Sequence, residues 1–386
     1  MLLALVLAAA PATTQRVDFI FGGDFIPHDP VKYVAALNAA KGDKDGPQGW
    51  DFLLASLEPH FRKADFAVVN LETPLTNDAK AVTAEMLFNA LPSMARGLKA
   101  RGVSVATFAN NHCLDQHAEG IIETRKWLGE VGLLTAGCDA TEALSWEPLI
   151  IEKNGLRIGI LAFTRYLNLL HGPKEAGQPH VPLVHYDDDL RSGGIDQREL
   201  LPKVRAAAAK CDALIVIPHW GDEYATQPRA DDRLLAAQLV EAGAVAVIGM
   251  HPHVVQPLET VARPDGSEAF VAFSIGNLVS NQDWTDVDSL KRDGLLIRLS
   301  VVREGKGPVT LRDVAPIPIW TENAMTPKRV IQPVLVDEEI SRVTEAIAAL
   351  DAKSPRTMRS ALVERLKLMQ RRREAIFGQV PLELGR

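Results

Sequence analysis

Five short polar clusters carry the side chains of this sequence that can do chemistry, and each follows an apolar run rich in β-forming residues. The clusters are Gly22-Gly23-Asp24, Asn70-Leu71-Glu72, Asn110-Asn111-His112, residues 219–223 and His251-Pro252-His253. Together they supply Asp, Glu, Asn and four His side chains, which are the oxygen and imidazole ligands of a two-metal hydrolytic site. We therefore expect the five clusters to meet in one metal centre.

The pair His251 and His253 is the sharpest of these signals. Two imidazoles one residue apart, beyond the end of a strand, commonly chelate one or two metal ions. Taken alone, His219 also fits a buried structural histidine, Asp24 an ordinary turn and Glu72 a cap. Five strand ends that all carry ligand types favour the metal site more strongly than any one of them.

The elements that must position these clusters read as strands alternating with helices. Short Val- and Ile-rich runs predict buried strands, and the segments between them have helical periodicity bounded by Gly or Pro. The predicted strands cover residues 17–22, 66–70, 103–109, 156–163, 213–217, 244–250 and 270–275. This alternation predicts an α/β architecture in which the strand ends gather the ligands at a sheet edge.

The pattern changes after Gly294, where residues 295–302 and 309–314 predict antiparallel strands and 340–377 a charged helical region. That region lacks the apolar content for a core of its own. We predict a signal-like segment (1–15), a main domain (16–303) and a C-terminal strand and helical extension that packs on it (304–386). The run Arg371-Arg372-Arg373 predicts the solvated face of a helix rather than a contact with a polyanion.

The first ten residues, Met1 to Ala10, are apolar, too few for a membrane-spanning helix of about 20 residues. They match the apolar core of a secretory signal, with Ala8-x-Ala10 or Ala10-x-Ala12 as a cleavage site, although the positively charged start is missing. An N-terminal strand or a frayed tail is the alternative. We favour export to the periplasm or the cell surface.

Composition and the absence of certain motifs narrow the classes of protein to which this sequence can belong. The chain has 386 residues, 47% hydrophobic and 24% charged, as in ordinary globular proteins, and its net charge of -7 gives no reason to expect nucleic-acid binding. Its three cysteines show no CxxC spacing, which excludes a zinc knuckle or disulfide framework and leaves a single disulfide open. The sequence contains neither a Gly-x-Ser-x-Gly elbow nor a Walker loop, which argues against a serine hydrolase and ATP-driven ligation.

The order of the motifs resembles that of the CapA family of capsule and poly-γ-glutamate synthesis proteins. The motifs are Gly-Asp, Asn-Leu-Glu, Ala-Asn-Asn-His, His-Trp-Gly-x-Glu, Gly-x-His-Pro-His-x-x-Gln and Ser-Ile-Gly-Asn. They run from about Val17 to about Val302, roughly three quarters of the chain. The family is itself similar to the calcineurin-like metallophosphoesterases. The resemblance implies a four-layer αββα sandwich of that type, with two sheets face to face, helices outside and a dinuclear site at the sheet edges.

The resemblance also implies a role for each matching residue. The implied metal ligands are Asp24, Glu72, Asn111, His219, His251 and His253. Asp24 and His253 would hold the first ion, Glu72 would bridge, and the other three would hold the second. His112 would sit over the substrate and donate a proton or hydrogen bond to the leaving group.

Two further residues match the family pattern, and two positions depart from it. Glu223 would orient His219 from behind, whereas Asn277 matches without an evident role. Metallophosphoesterases open with Asp-x-His, but the residue two after the first aspartate is Ile26, and His28 can substitute only if the loop curls back. Glutamate also replaces the usual aspartate at the bridging position.

The implied cofactors are two divalent ions, and oxygen and imidazole ligands suit manganese, iron or zinc. Such ions lower the pKa of a shared water and polarise the bond under attack, so no side-chain nucleophile is required. The sequence thus favours a metal-dependent hydrolase of the cell envelope that acts on a phosphoester or a γ-glutamyl polymer. The alternative is a non-catalytic accessory subunit that binds an anionic polymer and works with membrane-bound capsule synthesis partners. An unrelated α/β protein with coincidental polar strand ends is a third reading.

Overall fold

The computed structural model describes residues 14–77, 86–168, 179–186, 194–325 and 329–380. The strands are β1 (Thr14–Phe25), β2 (Phe66–Leu71), β3 (Val105–Phe108), β4 (Leu134–Gly137), β5 (Leu149–Lys153), β6 (Leu156–Thr164), β7 (Ala213–His219), β8 (Ala244–Ile248), β9 (Leu258–Ala262), β10 (Glu268–Ala272), β11 (Asn277–Val279), β12 (Asp293–Glu304), β13 (Val309–Ala324) and β14 (Val330–Leu335). The helices are α1 (Asp29–Asn38), α2 (Trp50–Leu53), α3 (Glu58–Lys63), α4 (Ser93–Ala100), α5 (His117–Glu130), α6 (Glu142–Ser145), α7 (Gln197–Ala208), α8 (Ala230–Glu241), α9 (Val336–Ala348) and α10 (Arg356–Gly378).

The strands form two sheets. The first has the order β14-β13-β12-β1-β2-β3-β4, with β11 beside β1, and its strands β1 to β4 run parallel. The second has the order β5-β6-β7-β8-β10-β9, with a parallel centre and antiparallel strands at both edges. Parallel centres bring the carboxyl ends of several strands to the same edge of each sheet.

Three apolar clusters separate four layers. Phe19 and Phe21 of β1 lie with the second sheet's Ile158 and Ile215 in the core between the sheets. Ile20, between the two phenylalanines, packs instead under the helices on the outer face, because successive side chains of a strand point to opposite faces. A third cluster joins the outer face of the second sheet to α7 and α8. The predicted α/β fold class, a four-layer αββα sandwich with a helical C-terminal end, is confirmed.

The C-terminal region continues the first sheet. β13 pairs with β12 and β14 with β13, and Met369 and Ile376 of α10 are buried in the core between the sheets. The division at residues 303 and 304 stays a prediction. At the other end, residues 1–13 of the predicted signal-like segment lie outside the described residues, and Thr14 begins β1. Among the described helices, none combines the length and apolar character that crossing a membrane requires. All three cysteines are free thiols.

A buried ion pair fixes α10 to the sheet. Arg372 donates from Nε to Asp293 Oδ1 (3.0 Å) and from Nη2 to Asp293 Oδ2 (2.6 Å), and Nη1 donates to the Asp288 carbonyl (2.7 Å). The two charged side chains are each 3% exposed. The expectation of a solvated arginine run therefore holds for Arg371 and Arg373, which are half exposed, and is wrong for Arg372.

Replacing Arg372 with alanine is expected to lower the free energy of unfolding by about 3–5 kcal/mol, since it strands a buried carboxylate. Burial raises the pKa of Asp293 to about 6 even with Arg372 lowering it, so losing the guanidinium raises it further above the ordinary 3.8. The deficit should therefore be small at pH 5, where Asp293 is largely protonated, and larger at pH 8. Urea unfolding at both pH values measures it. Arg371→Ala is the exposed control, with an expected effect within about 0.5 kcal/mol, and equal losses in the two variants would contradict the anchoring role.

Candidate metal centre

The predicted ligands meet where the carboxyl ends of the two sheets come together. Asp24 lies near the end of β1, in register with Asn70 of β2 on one side and Asn277 of β11 on the other. His219 ends β7 of the second sheet, and the segment that follows β8 carries the remaining two histidines. One ligand set is thus drawn from both sheets.

The backbone around these ligands adopts conformations that most residues avoid. His251 has a φ of 97° and His253 a φ of 59°. Left-handed non-glycine residues are held by surrounding structure and concentrate at functional sites. Gly23 permits the close approach of β1 to β11, because a Cβ there would lie 1.8 Å from the Gly276 carbonyl oxygen. The unfavourable backbone conformations of His251 and His253 therefore serve to position their side chains.

One ligand group is centred on His219. Its Nε2 lies 2.8 Å from Asn111 Oδ1, 3.1 Å from His251 Nδ1 and 3.6 Å from Glu72 Oε1. Three of these residues, Glu72, His219 and His251, are buried and offer ligand atoms within 4.8 Å of one another. The structure thus brings together the four residues predicted to hold or share the second ion.

A second ligand group lies beside the first. His253 Nε2 is 3.9 Å from Glu72 Oε1, and His253 Nδ1 is 3.4 Å from Asp24 Oδ2. Asp24, Glu72 and His253 also offer ligand atoms within 4.8 Å of one another. Glu72 is the member that both groups share, which is where the sequence placed a bridging carboxylate. Their roles as ligands stay predictions.

The chemistry of the donor set fits bound cations. Both carboxylate oxygens of Glu72 are buried, and neither has a hydrogen-bond partner among the residues that the structure describes. Burial, with the charge of Asp24 nearby, raises the pKa of Glu72 well above its usual range. Burial, followed by neighbouring imidazoles, lowers the pKa of His219 and of His251 well below the usual range, which favours the neutral form that ligates metals. A buried carboxylate without donors is costly unless a positive charge compensates it, so these clusters are compatible with metal binding.

Amide side chains orient the ligands from behind. Asn70 Nδ2 donates to Asp24 Oδ1 (2.8 Å), and Asn277 Oδ1 lies 3.0 Å from His253 Nδ1, which leaves Nε2 free to face Glu72. Such partners fix the tautomer and the ring orientation of ligating histidines. The sequence assigned Asn277 no evident role, and the structure places it behind His253, where it contacts Nδ1 of the ring. Asn70 lay within a predicted cluster, but nothing in the sequence showed whether it would bind a metal ion itself or hydrogen-bond to a residue that does.

His112 lies beside the ligand groups and pairs with an acid. Its Nδ1 is 2.7 Å from Asp115 Oδ2, and both side chains are buried. Asn168 Nδ2 lies 3.2 Å from His112 Nε2, and the Phe88 ring packs 4.3 Å from the imidazole, centroid to centroid. Sequence reasoning missed Asp115, and its only signal was the spacing of three residues from His112.

Two further residues that the sequence analysis considered, Glu223 and His28, differ in their relation to the metal centre. A ligand atom of Glu223 lies within 4.8 Å of ligand atoms of His251 and His253. His28 Nδ1 accepts a hydrogen bond from the Asn281 N–H (3.2 Å), and burial, with nearby imidazoles, lowers its pKa to about 4. Within the described residues, His28 belongs to none of the three-residue groups. The loop that carries His28 curls back toward the site, but the His28 ring contacts Asn281 there and does not join a ligand group of the described residues.

This chain is similar to several known proteins. A family model described as bacterial capsule synthesis protein PGA_cap matches residues 18–282. The structure superposes on the NAD nucleotidase of Haemophilus influenzae with a TM-score of 0.46 and 12% identity, over 94% of this chain and 61% of that one.

Two curated relatives carry the family name. The chain is 27% identical over 306 residues to the PGA biosynthesis protein CapA of Bacillus subtilis, which covers 76% of this chain and 74% of that protein. It is 25% identical over 281 residues to the capsule biosynthesis protein CapA of Bacillus anthracis, which covers 70% of this chain and 64% of that protein, just under two thirds. With more than half of its length matched by the family model, the chain belongs to the PGA_cap family of bacterial capsule synthesis proteins.

Proposed function

We propose that this protein is a two-metal hydrolase of the bacterial cell envelope that cleaves a phosphoester or a γ-glutamyl bond during capsule or poly-γ-glutamate synthesis. The observation that carries the proposal is Glu72, whose buried carboxylate has no hydrogen-bond partner within the described part of the chain and belongs to both ligand groups. The buried pair of His112 and Asp115 beside those groups supports turnover rather than metal storage alone.

When bound, the divalent cations would lower the pKa of water and polarise the scissile bond. The chain's own residues do the rest. Asp115 accepts the Nδ1–H of His112 and so fixes the tautomer and the ring orientation, with Nε2 left for proton transfer. The imidazolium form gives a proton to the leaving group from Nε2, and the Asp115 carboxylate stabilises that positive ring. Phe88 covers one face of the ring and limits access of water to it.

The names of the two relatives, which describe PGA biosynthesis and capsule biosynthesis, support a substrate from that synthesis, and the two-metal donor set supports hydrolysis of a phosphoester or a γ-glutamyl bond there. Manganese, iron and zinc all suit the donor set. The protein would act after export, in the periplasm or at the cell surface, beside membrane-bound synthesis partners.

A second candidate function is an accessory subunit that binds an anionic polymer through its metal ions without turnover. The observation that favours it is the name of both relatives, which describes a part in biosynthesis. This alternative shares the metal centre and differs only in the role of His112.

The deciding experiment reconstitutes the full chain with manganese, iron or zinc, measures bound metal by elemental analysis and assays aryl phosphodiesters and poly-γ-glutamate. We expect two ions per chain and metal-dependent hydrolysis of at least one substrate, because the donor set fits cations at both groups. Two bound ions without turnover of either substrate would favour the accessory role. A chain that binds none of the three metals would overturn both proposals.

A further inference from the structure

We infer that Glu223 is itself a metal ligand, which completes the Asp24 side of the centre from the solvent side and makes that side rich in oxygen. The inference rests on the proposed function, since it requires the cations to bind. It replaces the predicted role for Glu223, which was to orient His219. Its consequence is that the two ions sit in unlike sites and prefer different metals.

The Asp24 side has room for another donor. Asp24, Glu72 and His253 supply three ligands there, and a fourth would complete the four-coordinate shell in which transition metals are commonly held. Ile26, two residues after Asp24, is apolar and buried and cannot supply it. Glu223 lies, ligand atom to ligand atom, within 4.8 Å of His253 on this side and of His251 on the other. It is the carboxylate within reach of His253 that the first two ligand groups do not use, and we place it on the Asp24 side.

The loop after β7 is shaped to aim Glu223 at the histidines. Gly221 has a φ of 88° and Tyr224 a φ of 67°, so the chain takes a left-handed turn on both sides of the glutamate. The Tyr224 N–H donates to the Pro252 carbonyl (2.8 Å), which ties the loop to the segment that carries both histidines. A strained tyrosine held in this way positions the residue before it.

The neighbouring carboxylate points elsewhere. Asp222 is half exposed and accepts a hydrogen bond from Arg229 Nη1 (3.1 Å). Two adjacent acids on one loop thus face opposite directions, one toward an arginine and one toward the metal centre. Asp222 therefore serves as a matched control for the loss of a single carboxylate from this loop.

With Glu223 as a ligand, the two sites differ in chemistry. The Asp24 side would offer three carboxylates and one imidazole, whereas the other side offers His219, His251, Asn111 and the shared Glu72. Carboxylate oxygens suit manganese or magnesium, and imidazoles suit zinc and iron. The Asp24 side should consequently prefer manganese, and the His219 side should prefer zinc.

The test is a Mn²⁺ titration of the full chain, followed by electron paramagnetic resonance, for wild type, Glu223→Gln and Asp222→Asn. We expect wild type and Asp222→Asn to bind two Mn²⁺ ions, and Glu223→Gln to weaken one of the two by at least about tenfold. Water-proton relaxation per remaining bound ion at the weakened site should rise, because a lost ligand admits a water, whereas a residue that only orients His219 would leave it unchanged.

The outcomes separate this inference from the proposed function. Wild type that binds no Mn²⁺, Fe²⁺ or Zn²⁺ removes the proposed function. Wild type with two ions and Glu223→Gln with unchanged affinity overturns only the ligand role of Glu223. Weakened binding without a rise in relaxation would return Glu223 to an orienting role and likewise overturn the inference. Zn²⁺ added stepwise to the Mn²⁺-loaded wild type should displace one Mn²⁺ ion at a lower Zn²⁺ concentration than the other, whereas like sites would exchange together and contradict the predicted difference between them.

Discussion

Replacing Glu72 with glutamine is expected to abolish binding of both cations and, at the same time, to stabilise the metal-free protein. Both ligand groups share this carboxylate, so its loss removes a donor from each. In the metal-free protein, none of the described residues hydrogen-bonds to this buried group, and the charge of nearby Asp24 adds to the effect of burial in raising the pKa of Glu72 well above the ordinary range. A neutral amide that can donate to Asp24 relieves that cost, which we put at about 1–3 kcal/mol.

The sign of the pH dependence follows from the raised pKa of Glu72. The stability that a protonated Glu72 provides is present below its unfolded pKa and is lost as pH rises through the folded value. The advantage of Glu72→Gln should therefore vanish near pH 4 and grow as the pH rises toward the folded pKa of Glu72. With metal at about 1,000 times its Kd, the order reverses, because wild type gains about 4 kcal/mol from binding.

Urea unfolding with chelator and with added Mn²⁺, together with elemental analysis, measures both effects. Glu130→Gln is the control, since that side chain is half exposed and pairs only with Lys126 in the described contacts of its helix. A Glu72→Gln protein that keeps two ions, or that is less stable than wild type in chelator at neutral pH, would contradict the shared-ligand role.

Replacing His112 with glutamine is expected to lower kcat by about 10²–10⁴-fold and to leave the metal content unchanged. The imidazole lies outside both ligand groups, and its Nδ1 is committed to Asp115 at 2.7 Å. Asp115→Asn should lower kcat in the same range, because an amide in place of the carboxylate favours the wrong tautomer of the ring. The double variant should cost little more than either single one, since the two residues act as a unit.

Steady-state kinetics and elemental analysis on the same preparations check this prediction. His60→Gln is the control, because that histidine lies in α3 and pairs with Glu338, in a different part of the fold. Loss of metal in His112→Gln would make the histidine a ligand rather than a proton donor. Unchanged turnover in His112→Gln would remove the catalytic role and favour the accessory function.

The α/β class was predictable from the residues because the long central strands have a clear local pattern, whereas the four layers were expected only from the resemblance to a family. Runs such as residues 213–217 and 244–250 combine β-branched residues with polar ends, and they became β7 and β8. The short strands β4, β9 and β11 had no such run and were missed, as were β5 and β14, whose Val and Ile residues form only short runs. Their residues are strands because a neighbouring strand offers hydrogen bonds, and that partner lies far away in sequence.

The sequence by itself determined the donor types of the centre, because each ligand lies at the end of a strand or shortly after it, and parallel strands bring those ends to one edge of a sheet. Only the tertiary structure decided which donors face one another. It placed His219 Nε2 2.8 Å from Asn111 Oδ1 and paired His112 with Asp115. It also directed Glu223 toward the metal centre and Asp222 toward solvent, and it buried Arg372 alone of the three consecutive arginines. Spacing along a chain fixes which face of a strand or helix a residue occupies. Distances between residues a hundred positions apart depend on how the two sheets pack, and no local pattern encodes that packing.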